Sequence, residues 1–154
     1  MPAKYIFYDL ETTGRGKKES PNAFGTTPKW EQIMQIAAIV TDENFQETNQ
    51  NINEFCRPRT SIISQPGALL TTQKGIREAL HAEQSSYELM KKINAIFDEW
   101  KKDAEEPIFI GHNIIDFDES VLEYNLFNNV FFPYITSKSR GDTLSLARAL
   151  FALN

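Results

Sequence analysis

Two carboxylates, Asp9 and Glu11, stand one residue apart at the end of the apolar run Tyr5-Ile-Phe-Tyr8. In an extended chain, side chains at positions i and i+2 lie on the same face. Both carboxylates therefore point to one place at the end of a strand, and oxygen ligands of this kind suit Mg²⁺ or Mn²⁺. For an isolated Asp-x-Glu pair, the commoner interpretation is a strand whose polar edge carries two acids without a function.

Polar side chains also gather after a second apolar run, at residues 108–111. His112 and Asn113 follow this run directly, and Asp116 and Asp118 precede a predicted helix. Sites in α/β sheets form at the carboxyl ends of strands, so this cluster is a candidate to meet the first two carboxylates. The alternative is structural, because a carboxylate in the first turn of a helix complements the helix dipole. An isolated histidine is likewise a weak signal.

The composition predicts one globular domain, residues 1–154, with 41% hydrophobic and 24% charged residues. The single Cys56 has no partner for an internal disulfide and no neighbours at zinc-ligand spacing. The sequence contains neither a long apolar run nor a secretory signal, so a cytoplasmic protein with no membrane partner is expected. A net charge of −5 argues against nonspecific coating of nucleic acid but leaves room for a local site.

The elements that must position these residues follow from hydrophobic periodicity and turn signals. Strands are predicted at residues 4–9, 33–42, 51–58 and 108–111, and helices at about 72–80, 85–100, 120–129 and 143–153. The first strand is expected to be central because its apolar run is continuous. The first three strands are expected to form a meander. Ser85 and Glu88 predict a capping box, and Asp142 the N-cap of the last helix. Residues 12–31 predict a long surface loop whose basic residues could meet a phosphate backbone, and residues 130–135 an irregular connection.

Two segments of the chain together resemble the DEDD (DnaQ-like) 3′→5′ exonuclease superfamily. The first is Asp9-Leu-Glu-Thr-Thr-Gly14, and the second, far downstream, is Gly111-His-Asn113 with Phe117-Asp118. Two further matches, Gln65-Pro-Gly-Ala68 and Asp142-Thr-Leu144, resemble its exonuclease I branch. The resemblance covers essentially the whole chain. It implies an α/β protein of ribonuclease H-like fold, whose mixed central sheet joins a three-strand antiparallel meander to a parallel strand and is flanked by helices.

The resemblance implies hydrolysis of single-stranded DNA from its 3′ end, releasing nucleoside 5′-monophosphates, with two Mg²⁺ or Mn²⁺ ions at the site. It implies that Asp9, Glu11 and Asp118 are the catalytic residues and metal ligands. The terminal nucleotide would be held by Leu10, Thr12, Thr13, Gly14, His112, Asn113 and Phe117. Single-stranded nucleic acid is the expected partner, DNA more than RNA, together with a single-strand DNA-binding protein or further C-terminal domains. A role in DNA repair follows from such an activity.

The family pattern also includes a fourth aspartate, and a histidine that acts as general base, on a segment after the Asp142-Thr-Leu helix. No histidine follows His112 in the 154 residues. The expectation is therefore a truncated or incomplete exonuclease domain that is nearly inactive by itself, since general-base catalysis is worth about 10²- to 10⁴-fold. Two alternatives stay open: an RNA-trimming exoribonuclease of the same fold, and a catalytically incomplete relative that binds nucleic acid.

Overall fold

A mixed sheet of five strands is the frame of the computed structural model, which describes residues 4–14, 32–58, 73–103, 107–131 and 140–152. The described strands are β1 (Lys4–Thr12), β2 (Ile33–Thr41), β3 (Ile52–Phe55), β4 (Pro107–Gly111) and β5 (Arg140–Asp142). The described helices are α1 (Gln73–Leu80), α2 (Ser86–Asp103), α3 (Asp118–Asn128) and α4 (Thr143–Ala152). The strand order is β3-β2-β1-β4-β5, which confirms that β1 is central. Strands β1 to β3 pair antiparallel, whereas β4 and β5 run parallel to β1.

The core lies on one face of the sheet. Along β1 the side chains of Ile6, Tyr8 and Leu10 are buried, whereas Phe7 and Asp9, on the opposite face, are exposed. The buried side chains pack in one cluster with residues of α2 and α3, so both helices cover the same face. The predicted amphipathic residues of α2 belong to this cluster: Met90, Ile93, Phe97 and Trp100. The alternation also places Asp9 and Glu11 together on the face away from the core.

Strand β1 is longer than its parallel neighbour, and this difference creates an open edge. Its pairing with β4 ends at Phe7 and Ile110, whereas its pairing with β2 continues to Thr12. Residues 8–12 of β1 are therefore paired with no described strand on the β4 side. The connection from β4 to α3 begins at the same level and is available to fill this edge.

Several predicted elements are confirmed, with shifted bounds. The capping box is present: the Glu88 amide donates to Ser85 Oγ at 3.3 Å, and the Ser85 amide donates to the Glu88 carboxylate at 2.6 Å. Strand β1 continues to Thr12 rather than residue 9, and α3 begins at Asp118 rather than residue 120. The loop predicted at residues 12–31 lies outside the described residues from residue 15 onward, and the connection predicted at residues 130–135 from residue 132 onward. The turn predicted at residues 65–67 also lies outside them.

Strand β5 was not predicted, and this omission has a physical reason. Its three residues, Arg140-Gly-Asp142, show no hydrophobic alternation, so only their pairing with β4 defines them as a strand. Asp142 is thus the end of a strand as well as the predicted cap of α4. None of the described helices is long and apolar enough to cross a membrane.

The close packing at the end of β4 predicts that Gly111→Ala destabilises the fold. A Cβ at Gly111 would lie 2.1 Å from Ile114 Cγ2 and 2.9 Å from the carbonyl oxygen of Tyr8. Overpacking of this kind costs about 1–3 kcal/mol, which urea denaturation would measure. Gly141→Ala is the matched control, because its Cβ would make an ordinary contact of 3.5 Å with Ile110. Equal stability of the two variants would contradict the argument.

Candidate active site

Asp9 and Glu11 lie in the last part of β1, beyond the point where its pairing with β4 ends. Asp9 is exposed and Glu11 is half-buried. Partial burial raises the pKa of Glu11, and the negative charge of Asp9 raises it further. The prediction that these two carboxylates lie on one face of β1 is confirmed, and they are close enough for the charge of Asp9 to act on Glu11.

Asp118, the first residue of α3, lies at the open edge of β1. Only 4% of its surface is exposed. Burial raises its pKa to about 7, the charge of Asp9 adds to this effect, and a hydrogen bond from the Leu10 amide partly opposes it. The structure therefore brings Asp118 into the electrostatic field of Asp9, although 108 residues lie between them in the sequence.

The donor chemistry of these three residues fits a hard divalent cation. Asp9 interacts unfavourably with Glu11 on one side and with Asp118 on the other, and a cation would relieve both repulsions. Within residues 4–14, 32–58, 73–103, 107–131 and 140–152, however, no group of three or more His, Cys, Asp or Glu side chains is arranged to hold a metal ion. The carboxylates are thus coupled in pairs rather than assembled as a triad.

A partly buried charge cluster, which the sequence patterns did not indicate, lies beside Asp118. Glu119 forms an ion pair with Arg140 of β5, and its side chain is only 9% exposed. Burial and the nearby carboxylates of Asp118, Glu119 and Glu123 raise the pKa of Tyr8 well above its usual range, and Arg140 opposes this shift. In the sequence, the signal for this cluster is the basic residue Arg140, two positions before Asp142.

The connection between β4 and α3 is held by the start of α4. Asn113 adopts a left-handed conformation with φ of 63°, which asparagine tolerates better than most residues. The Asn113 and Ile115 amides donate to the Asp142 carboxylate at 2.9 Å and 3.2 Å. The left-handed φ, rather than this amide bond, favours asparagine at position 113, and its contact with substrate stays a prediction.

His112 is exposed at the same turn. The Thr143 hydroxyl donates to the Gly111 carbonyl at 3.2 Å and lies 3.1 Å from Nδ1 of His112. Thr143 Oγ1 thus lies within hydrogen-bond distance of both groups, which fixes the orientation of the imidazole ring.

The predicted nucleotide-binding residues that follow Glu11 are buried and make internal hydrogen bonds. The Thr12 hydroxyl donates to the Gly14 carbonyl at 2.6 Å. Thr13 and Gln32 pair twice, through the Thr13 amide and through the Thr13 hydroxyl, both at 3.0 Å. Leu10 is buried in the core, and the partly buried side chain of Phe117 packs against this core. The substrate contacts assigned to these residues stay predictions.

A groove of about 560 Å³ lies on the same face of the sheet as Asp9. It crosses β3, β2, β1 and β4, and its lining is largely apolar. His112, Thr143 and Asp9 provide polar groups in its lining. A pocket of this volume, with few polar groups among apolar ones, is typical of ligand sites.

Comparison with known proteins gives the family. The family model RNase_T, described as an exonuclease, matches residues 6–154. Exodeoxyribonuclease I of Escherichia coli is 29% identical over 153 residues, which cover 97% of this chain and 29% of the relative. Exodeoxyribonuclease I of Haemophilus influenzae is 28% identical, with 97% of this chain and 29% of the relative covered. The chain thus spans less than a third of the length of these relatives.

Solved structures agree with the family model. Escherichia coli exonuclease I in complex with a dT13 oligonucleotide superposes with a TM-score of 0.75 and 27% identity, over 99% of this chain and 30% of that one. An ExoI/SSB-Ct complex gives a TM-score of 0.75 and 25% identity, over 100% of this chain and 31% of that one. The ribonuclease H-like α/β fold is therefore confirmed.

The fold and its carboxylate-bearing strand end define a nuclease-type domain. The chain belongs to the RNase_T exonuclease family, and its relatives in sequence and structure confirm the resemblance to the exonuclease I branch. Membership of this family implies dependence on a divalent metal ion.

The raised pKa of Asp118 predicts that the metal-free fold loses stability as pH rises. Folding raises this pKa from 3.8 to about 7. Protonated Asp118 therefore contributes stability that is fully present below pH 3.8 and is lost as pH rises through about 7. Asp118→Asn remains neutral and should flatten this part of the profile, measured by urea denaturation between pH 3.5 and 8 in EDTA. Glu99→Gln, on the exposed side of α2, is the control. Identical slopes for the parent and Asp118→Asn would contradict the burial argument.

Proposed function

We propose that this chain forms the carboxylate site of a metal-dependent 3′→5′ exonuclease that acts on single-stranded DNA and releases nucleoside 5′-monophosphates. The observation that carries the proposal is the coupling of buried Asp118 with Asp9 at the end of the central strand. The exodeoxyribonuclease I relatives, one of them solved with a dT13 oligonucleotide, support the choice of DNA.

Asp9, Glu11 and Asp118 are proposed to hold Mg²⁺ or Mn²⁺, with two ions in the complete site. Such ions supply charge neutralisation on the phosphate and a more acidic water molecule. The chain's own contribution is to concentrate negative charge and to keep Asp118 in place. The Leu10 amide orients the Asp118 carboxylate, and burial together with the charge of Asp9 raises its pKa, an effect that a bound cation would oppose.

Substrate contacts are proposed for the residues that border these carboxylates. His112 is exposed and lines the groove beside Asp9, so its imidazole ring is placed to hydrogen-bond a base or a sugar hydroxyl. The backbone of Leu10, Thr12, Thr13 and Gly14 and the side chains of Asn113 and Phe117 are proposed to complete the contacts. We also infer that residues 1–154 form a single exonuclease domain, with a single-strand DNA-binding protein as a candidate partner.

One alternative function has a specific observation in its favour. Within the part of the chain that the structure describes, the acids form pairs and not a three-ligand group. This arrangement is expected of a relative that binds nucleic acid but does not cleave it. Such a protein would bind single strands and leave them intact with Mn²⁺ present. The exoribonuclease alternative differs in its response to the sugar 2′-hydroxyl, which cleavage of matched DNA and RNA oligonucleotides would reveal.

Metal binding at the paired carboxylates predicts that Mn²⁺ raises the melting temperature. A ligand that binds only the folded state at ten times its Kd stabilises the fold by about 1.4 kcal/mol. Asp9→Asn should remove most of this shift because Asp9 repels both other carboxylates, whereas Glu99→Gln on α2 should retain it. A shift that survives Asp9→Asn but disappears in Asp116→Asn would mean that the wrong acids have been assigned.

The proposed activity predicts the polarity of cleavage. The assay uses the 154 residues and, in parallel, any longer natural chain that contains them, with single-stranded oligonucleotides labelled at either end and Mg²⁺. A chain that carries the remaining aspartate and histidine should shorten the substrate from its 3′ end to mononucleotides, and Asp9→Ala or Glu11→Ala should lower the rate by at least about 10²-fold. Residues 1–154 alone should be far slower. Internal cuts, or shortening from the 5′ end, would refute the exonuclease proposal.

A further inference from the structure

The short strand β5 carries two charged side chains that both act on the approach to α3. Arg140 and Asp142 occupy positions i and i+2, which share one face of a strand. Arg140 pairs with Glu119 in the first turn of α3, and Asp142 accepts the Asn113 and Ile115 amides ahead of that helix. The two contacts therefore hold the chain on either side of Asp118.

Hydrogen bonds carry this restraint from Asp142 to the neighbours of Asp118. The Phe117 amide donates to the Asn113 carbonyl at 3.2 Å, and the Glu119 amide donates to the Ile114 carbonyl at 2.9 Å. The residues immediately before and after Asp118 are thus bonded to the same turn that Asp142 holds. Displacement of this turn would displace Asp118.

Helix α3 does not fix its own start by a side-chain cap. Its N-cap, Phe117, makes no side-chain capping bond, and its first turn is acidic. Asp142, by contrast, accepts bonds from the Leu144 and Ser145 amides at 2.9 Å and 3.4 Å while it holds the preceding turn. One carboxylate therefore joins the starts of α4 and α3.

We propose that Asp142 is a positioning residue for the metal site, holding Asp118 at the open edge of β1 through the backbone of residues 113 and 115. The inference rests on the proposed function for its catalytic meaning, but the geometry can be tested without activity. Partial burial raises the pKa of Asp142, and its four backbone hydrogen bonds lower it below its usual range, so it acts as a charged acceptor at neutral pH.

The test compares Asp142→Ala with Asp142→Asn by Mn²⁺ titration and by amide hydrogen exchange. Loss of an outer residue that orients a ligand weakens metal binding about 10- to 100-fold, and this is the expected effect of Asp142→Ala. Asp142→Asn removes the charge and the acceptor of the Ile115 amide, but it keeps Oδ1, which accepts the Asn113 and Leu144 amides, so it should weaken Mn²⁺ binding less than Asp142→Ala does. Amide exchange at Leu10, whose N–H bonds to Asp118, should accelerate only in the alanine variant.

Asp42→Ala is the matched control. Its carboxylate also accepts two backbone amides, those of Asn44 and Gln46 at 2.8 Å and 2.9 Å, but it lies at the other end of β1. This variant should lower the melting temperature without changing Mn²⁺ affinity or Leu10 exchange, which separates positioning from general stability.

Two results would overturn the inference. In one, Asp142→Ala frees the Asn113 and Ile115 amides while Leu10 exchange and Mn²⁺ affinity stay unchanged. In the other, Asp142→Asn weakens Mn²⁺ binding as much as Asp142→Ala does, which would assign the effect to charge. If the parent itself binds no Mn²⁺, the proposed metal site fails, and Leu10 exchange alone then decides whether Asp142 positions Asp118.

Discussion

The burial of a carboxylate beside another carboxylate is the constraint on which the rest of this structure depends. Asp118 is almost fully buried, yet its neighbours include Asp9 and the acidic first turn of α3. Burial without a full set of partners disfavours the charged form, as the raised pKa shows. A carboxylate whose ionisation is disfavoured by burial stays in place only where surrounding contacts hold it there. Carboxylates with a raised pKa of this kind are typical of functional sites.

Those contacts come from the unequal lengths of two parallel neighbours. Because the pairing of β1 with β4 ends at Phe7 and Ile110 while β1 continues to Thr12, the end of β1 has no strand partner on this side among the described residues. Buried backbone amides need acceptors, and the Asp118 carboxylate supplies one to Leu10. Gly111 allows the turn to pass close to the Tyr8 carbonyl, so the chain can reach this edge immediately after β4. Strand length, turn chemistry and the carboxylate position are therefore linked.

The face that carries Asp9 and Glu11 differs from the core face. The helices α2 and α3 cover the core face, whereas Phe7 and Ile39 on the other face are 37% and 49% exposed and border the groove. An apolar groove beside a pair of acids offers both packing area and charge to one ligand. In the family to which this chain belongs, the matched relatives are about three times longer, so the described site is one part of what those proteins contain.

The sequence by itself determined the local features. Alternation along β1 placed Asp9 and Glu11 on one face, Ser85 and Glu88 formed the predicted cap, and the strand-like runs identified a central β1, because each depends on neighbours a few residues away. The residues left Asp116 and Asp118 as alternatives, and the resemblance to the exonuclease superfamily implied Asp118. The sequence did not reveal β5, the Arg140–Glu119 ion pair or the hydrogen bonds from Asp142 to the turn before α3.

Only the tertiary structure decided those features. Three residues without a hydrophobic pattern become a strand because β4 is beside them, and Asp142 holds the turn before α3 because parallel pairing brings Gly111 next to it. The depth of Asp118 and its raised pKa likewise depend on where α3 packs against β1. Interactions between residues far apart in sequence leave no periodic signal along the chain, so they appear only when the sheet is assembled.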